Sequence, residues 1–359
     1  MRRAIELARR GEGLVEPNPM VGAVLVDPQL RLIGEGWHER FGEPHAEVNA
    51  IRSAKDTHAD LTTSSLFVTL EPCQHTGKTP PCTDAVLQTG IPRVVIGTAD
   101  PAGHTASLGI RKLREAEVDV QVGLLQGECQ DLIAPFNKRM SKKLPWVIAK
   151  WAMTLDGRIA SKTGHSQWIS SPESRQIVHS LRGRMDAIIV GKGTALADDP
   201  QLTARPPGSR TAMRVVIDRA ASLPIGSKLA TTARETPTIV YCGNNAPAAN
   251  MDSLRNHGVD VVTIDCADLA NVLRDLYERG CTNVLIEGGG TLLGSFFDQH
   301  HVDEVHVFIG PKVVGGQNAI SPVGGAGLEN IPDVSTLRDV VVQHVGSDAY
   351  MRGRLPSGP

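Results

Sequence analysis

Four side chains in the first quarter of the chain could act together. His45 and Glu47 stand two apart in Pro44-His45-Ala46-Glu47, Cys73 follows Pro72, and Cys82 follows Pro81. One imidazole and two thiolates would give zinc three protein ligands. The fourth position would stay open for water, the arrangement of a catalytic rather than a structural zinc site. Glu47 is then left free to move protons. Water activated there would attack an amidine-type ring carbon, with Glu47 carrying a proton to the leaving amine. Each residue taken singly is most simply a buried small group. The ordered set, with its prolines, carries the chemical reading.

Local structure must bring these groups together. Positions i and i+2 do not share a helix face, so His45 and Glu47 can converge on one metal only if His45 sits at the cap of the helix that Ala46–Ile51 begins. Thr83–Leu87 reads as a second helix start, and both cysteines are expected near helix N-termini, where thiolate is favoured. The order H-x-E, then P-C, is the signature of zinc nucleobase deaminases, which space their cysteines as C-x-x-C. Here eight residues separate them.

Composition frames the rest. The chain has 359 residues, 41% hydrophobic and 21% charged, with a net charge of −2. That length suits two domains. The near-neutral balance argues against a nucleic-acid surface, and no apolar run approaches the roughly 20 residues of a membrane span. Six scattered cysteines form no disulfide pattern and fit a reducing cytoplasm, with Cys129, Cys242, Cys266 and Cys281 read as buried thiols.

Along the first part, Ala4–Arg10 is amphipathic and helical. Val21–Val26 and Leu32–Trp37 read as a hairpin, and Ser65–Leu70, Arg93–Gly97 and Val118–Val122 as further strands. Ile110–Ala116 is helical, as is Leu125–Met140 with a break at Pro135. Ser141–Pro145 is the best linker, giving domains 1–144 and 145–359. A fresh strand begins at Trp146–Lys150. Further strands are expected at Asp186–Val190, Arg214–Asp218, Thr238–Tyr241, Val259–Ile264, Asn283–Glu287 and Glu304–Ile309. Val340–Leu355 adds one or two antiparallel strands. Helices at Ser174–Arg184 and Ala267–Arg279 alternate with them, so both halves read as α/β layers.

Three clusters mark the second half: Lys150–Arg158, Val190–Thr194 followed by Asp198–Arg205, and Ile286-Glu287-Gly288-Gly289-Gly290-Thr291. Glycines at a strand end before a helix let backbone approach a phosphate. The run is neither a Walker A loop nor a G-x-G-x-x-G fingerprint, so a plain tight turn stays open on the motif alone. Arg182 and Arg205 could grip a phosphate.

Over nearly its whole length the chain resembles the bifunctional riboflavin-biosynthesis family, RibD. The motifs are Asn18-Pro19-Met20-Val21-Gly22-Ala23-Val24, Gly42–Val48, Val68–Cys82, Leu155-Asp156-Gly157-Arg158, Ser166–Ser170, Gly191–Thr194, Asp198-Asp199-Pro200, Leu202–Arg205 and Glu287-Gly288-Gly289. The long Cys73–Cys82 spacing is what that family shows. The resemblance implies an N-terminal cytidine-deaminase-like α/β/α layer and a C-terminal dihydrofolate-reductase-like α/β domain. The first would deaminate 2,5-diamino-6-(5-phosphoribosylamino)pyrimidin-4(3H)-one with one zinc per chain, held by His45, Cys73 and Cys82, with Glu47 as proton donor and acceptor. The second would reduce 5-amino-6-(5-phosphoribosylamino)uracil with NADPH.

Carried over by position, Asn18, His75, Lys78 and Thr79 would hold the deaminase substrate. Ser166, Arg182, Leu202, Arg205 and Glu287 would hold the reductase substrate, and Ala152, Trp168, Thr194, Asp198 and Gly289 the cofactor. Lys150 and Glu287 are the candidates for proton handling at the sugar. The partners implied are small phosphoribosylated pyrimidines, without nucleic acid or membrane, in a homo-oligomer (dimer or tetramer) of the cytoplasm. The chain departs from the family at Asp100–Gly109, which lacks an Asn and an Arg. Two other readings remain: a nucleoside or tRNA deaminase fused to an unrelated reductase, and a reductase carrying a catalytically impaired zinc domain.

Overall fold

The computed structural model describes residues 1–56, 58–75, 80–101, 107–332 and 334–356. The chain divides into two compact units, Met1–Lys143 and Leu144–Pro359. Lys78 and Thr79, and the centre of the Asp100–Gly109 segment, lie outside the described residues.

The first unit is built on five strands: β1 (Gly22–Val26), β2 (Leu32–Trp37), β3 (Ser65–Leu70), β4 (Arg93–Thr98) and β5 (Asp119–Val122). Among the described residues their order is β2-β1-β3-β4-β5. The β1–β2 and β1–β3 pairs are antiparallel, and β3–β4 and β4–β5 are parallel. Among the described residues six helices accompany them: α1 (Arg2–Ala8), α2 (Ala46–Asp56), α3 (Cys82–Thr89), α4 (Leu108–Glu115), α5 (Gln126–Leu132) and α6 (Ala134–Lys142). The apolar runs Ala23–Leu25 and Val94–Ile96 are fully shielded, as expected of strands covered on both faces.

Two glycines on β2 set the position of α2. A Cβ on Gly34 would stand 2.5 Å from the Ala50 carbonyl oxygen, and one on Gly36 would stand 2.4 Å from the Ala50 nitrogen. The helix backbone therefore lies directly on the strand, which fixes where its first turn, carrying His45 and Glu47, points.

Two expectations need correction here. The first helix ends at Ala8, and Arg9–Gly11 is a 3-10 turn. The long helix expected over Leu125–Met140 is two helices that part at Ile133, not a break at Pro135. Pro135 lies in the opening turn of α6, where its missing N–H costs nothing.

The second unit contains β6 (Trp146–Thr154), β7 (Ala187–Gly191), β8 (Met213–Ile217), β9 (Thr238–Cys242), β10 (Asp260–Thr263), β11 (Asn283–Ile286), β12 (Glu304–Gly310), β13 (Arg338–Val345) and β14 (Asp348–Arg354). Their order among the described residues is β10-β9-β8-β7-β11-β6-β12-β14-β13. The sheet is parallel from β10 to β12 and turns antiparallel at β14 and β13. Its helices are α7 (Pro172–Arg182), α8 (Lys192–Asp198), α9 (Lys228–Thr231), α10 (Ala248–Asn256), α11 (Leu269–Glu278) and α12 (Gly290–Asp298). The tail supplies both antiparallel strands. β6 runs on past Lys150 because β12 pairs with it as far as Thr154↔Gly310. Val147, Ile189, Val215, Val284, Ile286 and Phe296 form the centre of the core.

Candidate functional site

In the first unit the sequence-distant ligands meet. His45 precedes α2, and its carbonyl accepts the Asn49 N–H at 3.1 Å. The Asn49 side-chain amide donates to the carbonyls of Trp37 (2.9 Å) and Pro44 (3.3 Å), which pins that turn. Cys82 opens α3 directly after Pro81. Cys73 does not stand at a helix start: it lies in the loop beyond β3. Its sulfur accepts the Cys82 N–H at 3.4 Å, and its carbonyl accepts the Thr83 N–H at 3.2 Å. The His45 Nδ1 is 3.2 Å from Cys82 Sγ and 3.5 Å from Cys73 Sγ. All three ligand atoms lie within 4.8 Å of one another.

Their electrostatics suit a metal. A hydrogen bond from Cys82 pushes the Cys73 thiol down to about 4, against burial and with help from His45. The same bond, with burial, pushes Cys82 up. Two soft sulfurs and an imidazole are a donor set that fits zinc. Glu47 lies beside them, 3% exposed. Burial raises its carboxyl to about 7, with Cys73 adding and His45 opposing. Its Oε2 has no hydrogen-bond partner. A buried, unpartnered carboxylate oxygen next to three ligands is what a site with one reactive position requires.

Two neighbours were not singled out by sequence. His38, 2% exposed, follows β2. Its Nε2 lies 3.2 Å from the Asn18 amide nitrogen and its Nδ1 3.3 Å from the Pro44 carbonyl. Its ring meets that of His45 edge-on at 5.1 Å between centroids. Asn18 is thereby tied to the zinc-ligand turn. Glu71, 5% exposed, accepts the N–H groups of Asp100 (3.0 Å), Ser107 (3.1 Å) and Ile110 (3.1 Å). It clamps both ends of the Asp100–Gly109 segment to the end of β3. His75 is exposed on the loop after Cys73.

In the second unit a cleft of 1210 Å³ receives every residue picked for the reductase: Lys150, Ala152, Ser166, Trp168, Arg182, Thr194, Asp198, Leu202, Arg205, Glu287 and Gly289. Glu287 anchors it. Its carboxylate accepts Arg182 Nε at 2.5 Å and Nη2 at 2.8 Å, and lies 3.7 Å from Lys150 Nζ. The Glu287 side chain is 4% exposed. Burial disfavours its charge, but Arg182 and Lys150 outweigh burial and hold its carboxyl below the usual range. Burial, then Arg182, lowers Lys150 against the pull of Glu287. Arg182 also donates to the Thr203 carbonyl at 3.2 Å, and Arg205 N–H to His179 Nδ1 at 3.2 Å, so α7 holds the 202–205 segment. The Ser166 hydroxyl reaches Asp198 at 3.3 Å. The Arg175 guanidinium covers the Trp168 ring at 4.4 Å; Arg175 and His179 carried no signal in the sequence beyond their helix.

The glycines make a cradle. A Cβ on Gly288 would stand 2.9 Å from the Thr194 side chain. Gly289 has φ +65, and a Cβ on Gly193 would meet nothing within 4 Å. Bare backbone thus lines the end of β11 before α12 and the first turn of α8 after β7, a surface that fits a dinucleotide diphosphate.

Comparison with known proteins places each unit in a family. Residues 145–351 match the RibD C-terminal domain, and residues 1–98 match the cytidine and deoxycytidylate deaminase zinc-binding region. The riboflavin biosynthesis protein RibD of Aquifex aeolicus is 38% identical over 349 residues, 97% of this chain and 95% of that protein. The Escherichia coli RibD is 36% identical over 373 residues, 98% of this chain and 97% of that one. Among solved structures, a diaminohydroxyphosphoribosylaminopyrimidine deaminase/5-amino-6-(5-phosphoribosylamino)uracil reductase from Thermotoga maritima aligns with TM-score 0.84 at 39% identity, covering 99% of this chain and 97% of that chain. Acinetobacter baumannii RibD aligns with TM-score 0.83 at 32% identity, with the same coverage. With both of its halves matched and its relatives aligned end to end, the chain belongs to the RibD family, a deaminase and a reductase of riboflavin biosynthesis in one polypeptide.

Proposed function

We propose that the first unit hydrolyses the 2-amino group of 2,5-diamino-6-(5-phosphoribosylamino)pyrimidin-4(3H)-one, and that the second reduces the resulting 5-amino-6-(5-phosphoribosylamino)uracil at its ribosyl group with NADPH. The observation that carries this is the convergence of His45, Cys73 and Cys82 beside the buried Glu47 carboxylate, whose Oε2 has no hydrogen-bond partner. Zinc held by these three ligands, one per chain, supplies Lewis acidity that makes water a nucleophile near neutral pH. Glu47 takes the proton from the attacking water and returns it to the leaving amine; a carboxyl near 7 can do both. Asn18, fixed by His38, orients the pyrimidine, with His75, Lys78 and Thr79 from the sequence between the two cysteines.

In the second unit NADPH supplies the hydride. Ala152, Trp168, Thr194, Asp198 and Gly289 hold it against the sugar, and Ser166, Leu202 and Arg205 hold the substrate. Glu287 keeps Arg182 and Lys150 oriented, and Lys150 donates a proton to the sugar oxygen as the ring opens. The chain works on small molecules, without nucleic acid or membrane, as a homo-oligomer in the cytoplasm. Its net charge of −2 and its six cysteines, none in a disulfide among the described residues, support that setting. Among the described residues no helix is long and apolar enough to cross a membrane. The clamping of Asp100, Ser107 and Ile110 by Glu71 speaks against an impaired zinc domain.

The test follows ammonia release and NADPH oxidation together on the diaminopyrimidine substrate. Chelation should abolish ammonia release while reduction of the already deaminated substrate continues. Glu47→Gln should retain zinc and lose roughly 10²–10⁴-fold in ammonia release. Continued deamination by metal-free protein would overturn the assignment.

A further inference from the structure

NADPH and NADH differ by one phosphate on the adenosine ribose, and the second unit carries a residue placed to read it. The cleft crosses the ends of four adjacent strands in the order β8-β7-β11-β6. Lys150 belongs to β6, Glu287 follows β11, Lys192–Thr194 follows β7 and Arg219 follows β8, and all line the cleft. Three strand spacings span about 14 Å, long enough for an extended dinucleotide rather than a mononucleotide. Reduction takes place at the Lys150–Glu287 end. The adenosine half then falls on the β8 side, against Arg219 and the Cys266–Ala267 loop.

β8 is followed by an acid and then a base, Asp218-Arg219. An acid free at such a strand end would hydrogen-bond the ribose 2′-hydroxyl and repel a phosphate. Asp218 is not free. It is 1% exposed, and its carboxylate accepts the Ser222 N–H at 2.6 Å, the Ala220 N–H at 3.3 Å and the Ser222 hydroxyl at 3.2 Å. Its charge is consumed by its own turn. Arg219 is exposed, and among the described residues its guanidinium has no hydrogen-bond or ion-pair partner. It is close enough to Cys266 for its charge to act on that thiol. Of the other cations near this side, Lys228 is engaged by Asp199, through the carbonyl at 3.1 Å and the carboxylate at 3.6 Å, and Lys192 stands one strand nearer the middle of the cleft, after β7.

We propose that Arg219 binds the 2′-phosphate of NADPH and sets the preference for NADPH over NADH. The proposal rests on the dinucleotide reading of this cleft. A guanidinium suits a phosphate dianion because it offers two parallel N–H donors with its charge.

The experiment is equilibrium binding to the full zinc-loaded chain, without turnover. Calorimetry measures adenosine 2′,5′-bisphosphate against 5′-AMP, and tryptophan quenching measures NADPH against NADH. The wild type should favour the 2′-phosphorylated member of each pair at least tenfold. Arg219→Gln should weaken that member roughly tenfold to a hundredfold and leave 5′-AMP and NADH unchanged; Arg219→Lys should keep an intermediate preference. A preference preserved in Arg219→Gln overturns the proposal alone. Equal binding of NADPH and NADH by the wild type overturns it together with the NADPH assignment, and loss of 5′-AMP binding in the variant overturns it as a disturbance of the cleft.

Discussion

Replacing Arg182 with Met isolates the ion cluster on which the reductase cleft is built. In the native protein the Glu287 carboxylate is 4% exposed and Arg182 is 14% exposed, joined by hydrogen bonds of 2.5 Å and 2.8 Å. Lys150, at 3.7 Å and 18% exposed, is the only other cation paired with Glu287 among the described residues. Methionine fills the space and removes both donors, leaving a buried carboxylate with one distant counter-charge. Breaking a buried pair this way costs about 3–5 kcal/mol. Glu287→Gln leaves two cations facing each other without a counter-charge and should cost a similar amount. The double variant removes both charges, so its cost should fall short of the sum by roughly 3 kcal/mol.

The assay is urea unfolding followed by tryptophan fluorescence in a Trp37→Phe background, because the other three tryptophans (Trp146, Trp151 and Trp168) all lie in the second unit. A pH series adds a sign. Without Arg182, burial raises the folded-state pKa of Glu287 above its unfolded value. The deficit of Arg182→Met should therefore be small below the unfolded carboxylate range and grow as pH rises. A variant within about 1 kcal/mol of wild type, or a double variant whose costs simply add, would refute the reasoning: the cluster would be screened by water despite its burial.

Glu71→Gln keeps one acceptor but turns an amide group toward backbone N–H donors. It should destabilise the first unit by about 2–3 kcal/mol and speed hydrogen exchange at Asp100, Ser107 and Ile110; unchanged protection there would remove Glu71 as the clamp. Glu304 predicts an acid limb of stability in the second unit. Burial opposes its charge, but the His306 hydrogen bond and the His306 and Arg354 charges bring its carboxyl from 4.5 down to about 2. Its contribution, about 3 kcal/mol at most, is present above pH 4.5 and lost as pH falls toward 2. Glu304→Gln should flatten that limb in acid-unfolding curves, and a limb unchanged in the variant would assign it to other carboxylates.

The candidate zinc ligands were legible in the sequence because each stands next to a proline at an element boundary, so residue type, order and local geometry agreed before any fold was known. The α/β character of both halves was legible for a similar reason: buried parallel strands such as Ala187–Gly191 are unbroken apolar runs. What stayed hidden depends on distant pairing. Glu71 read as part of Leu-Glu-Pro-Cys, yet its work is done on Ile110, 39 residues away. His38 is a lone histidine after a strand until α2 settles on Gly34 and Gly36 and brings His45 against it. Asp218 and Arg219 cancel as a charge pattern, and only the turn that consumes Asp218 separates them. Cys73 was expected at a helix start because it follows a proline, and a loop satisfies that local rule equally well.

One topological rule links the two units and explains why their sites could be read so unequally. In an open parallel sheet, ligands collect beyond the carboxyl ends of the strands. In the first unit β3 and β4 run parallel, and Glu71, Cys73 and Asp100 lie just past their ends. In the second unit the same edge is formed by β8, β7 and β11, joined by β6. The difference lies in what fills the edge. A metal needs few ligands at short range, so the first site is compressed into two loops and a helix cap and survives as a linear motif. A dinucleotide needs an edge several strands long. The residues that line that cleft, Lys150, Thr194, Arg219 and Glu287 among them, therefore share no local pattern and are gathered only through the strand order. The proton and ion chemistry of the second site thus depends on sheet assembly in a way that the zinc chemistry does not. Substitutions that disturb the β7–β11–β6 register should cost the reductase its activity while leaving zinc affinity untouched.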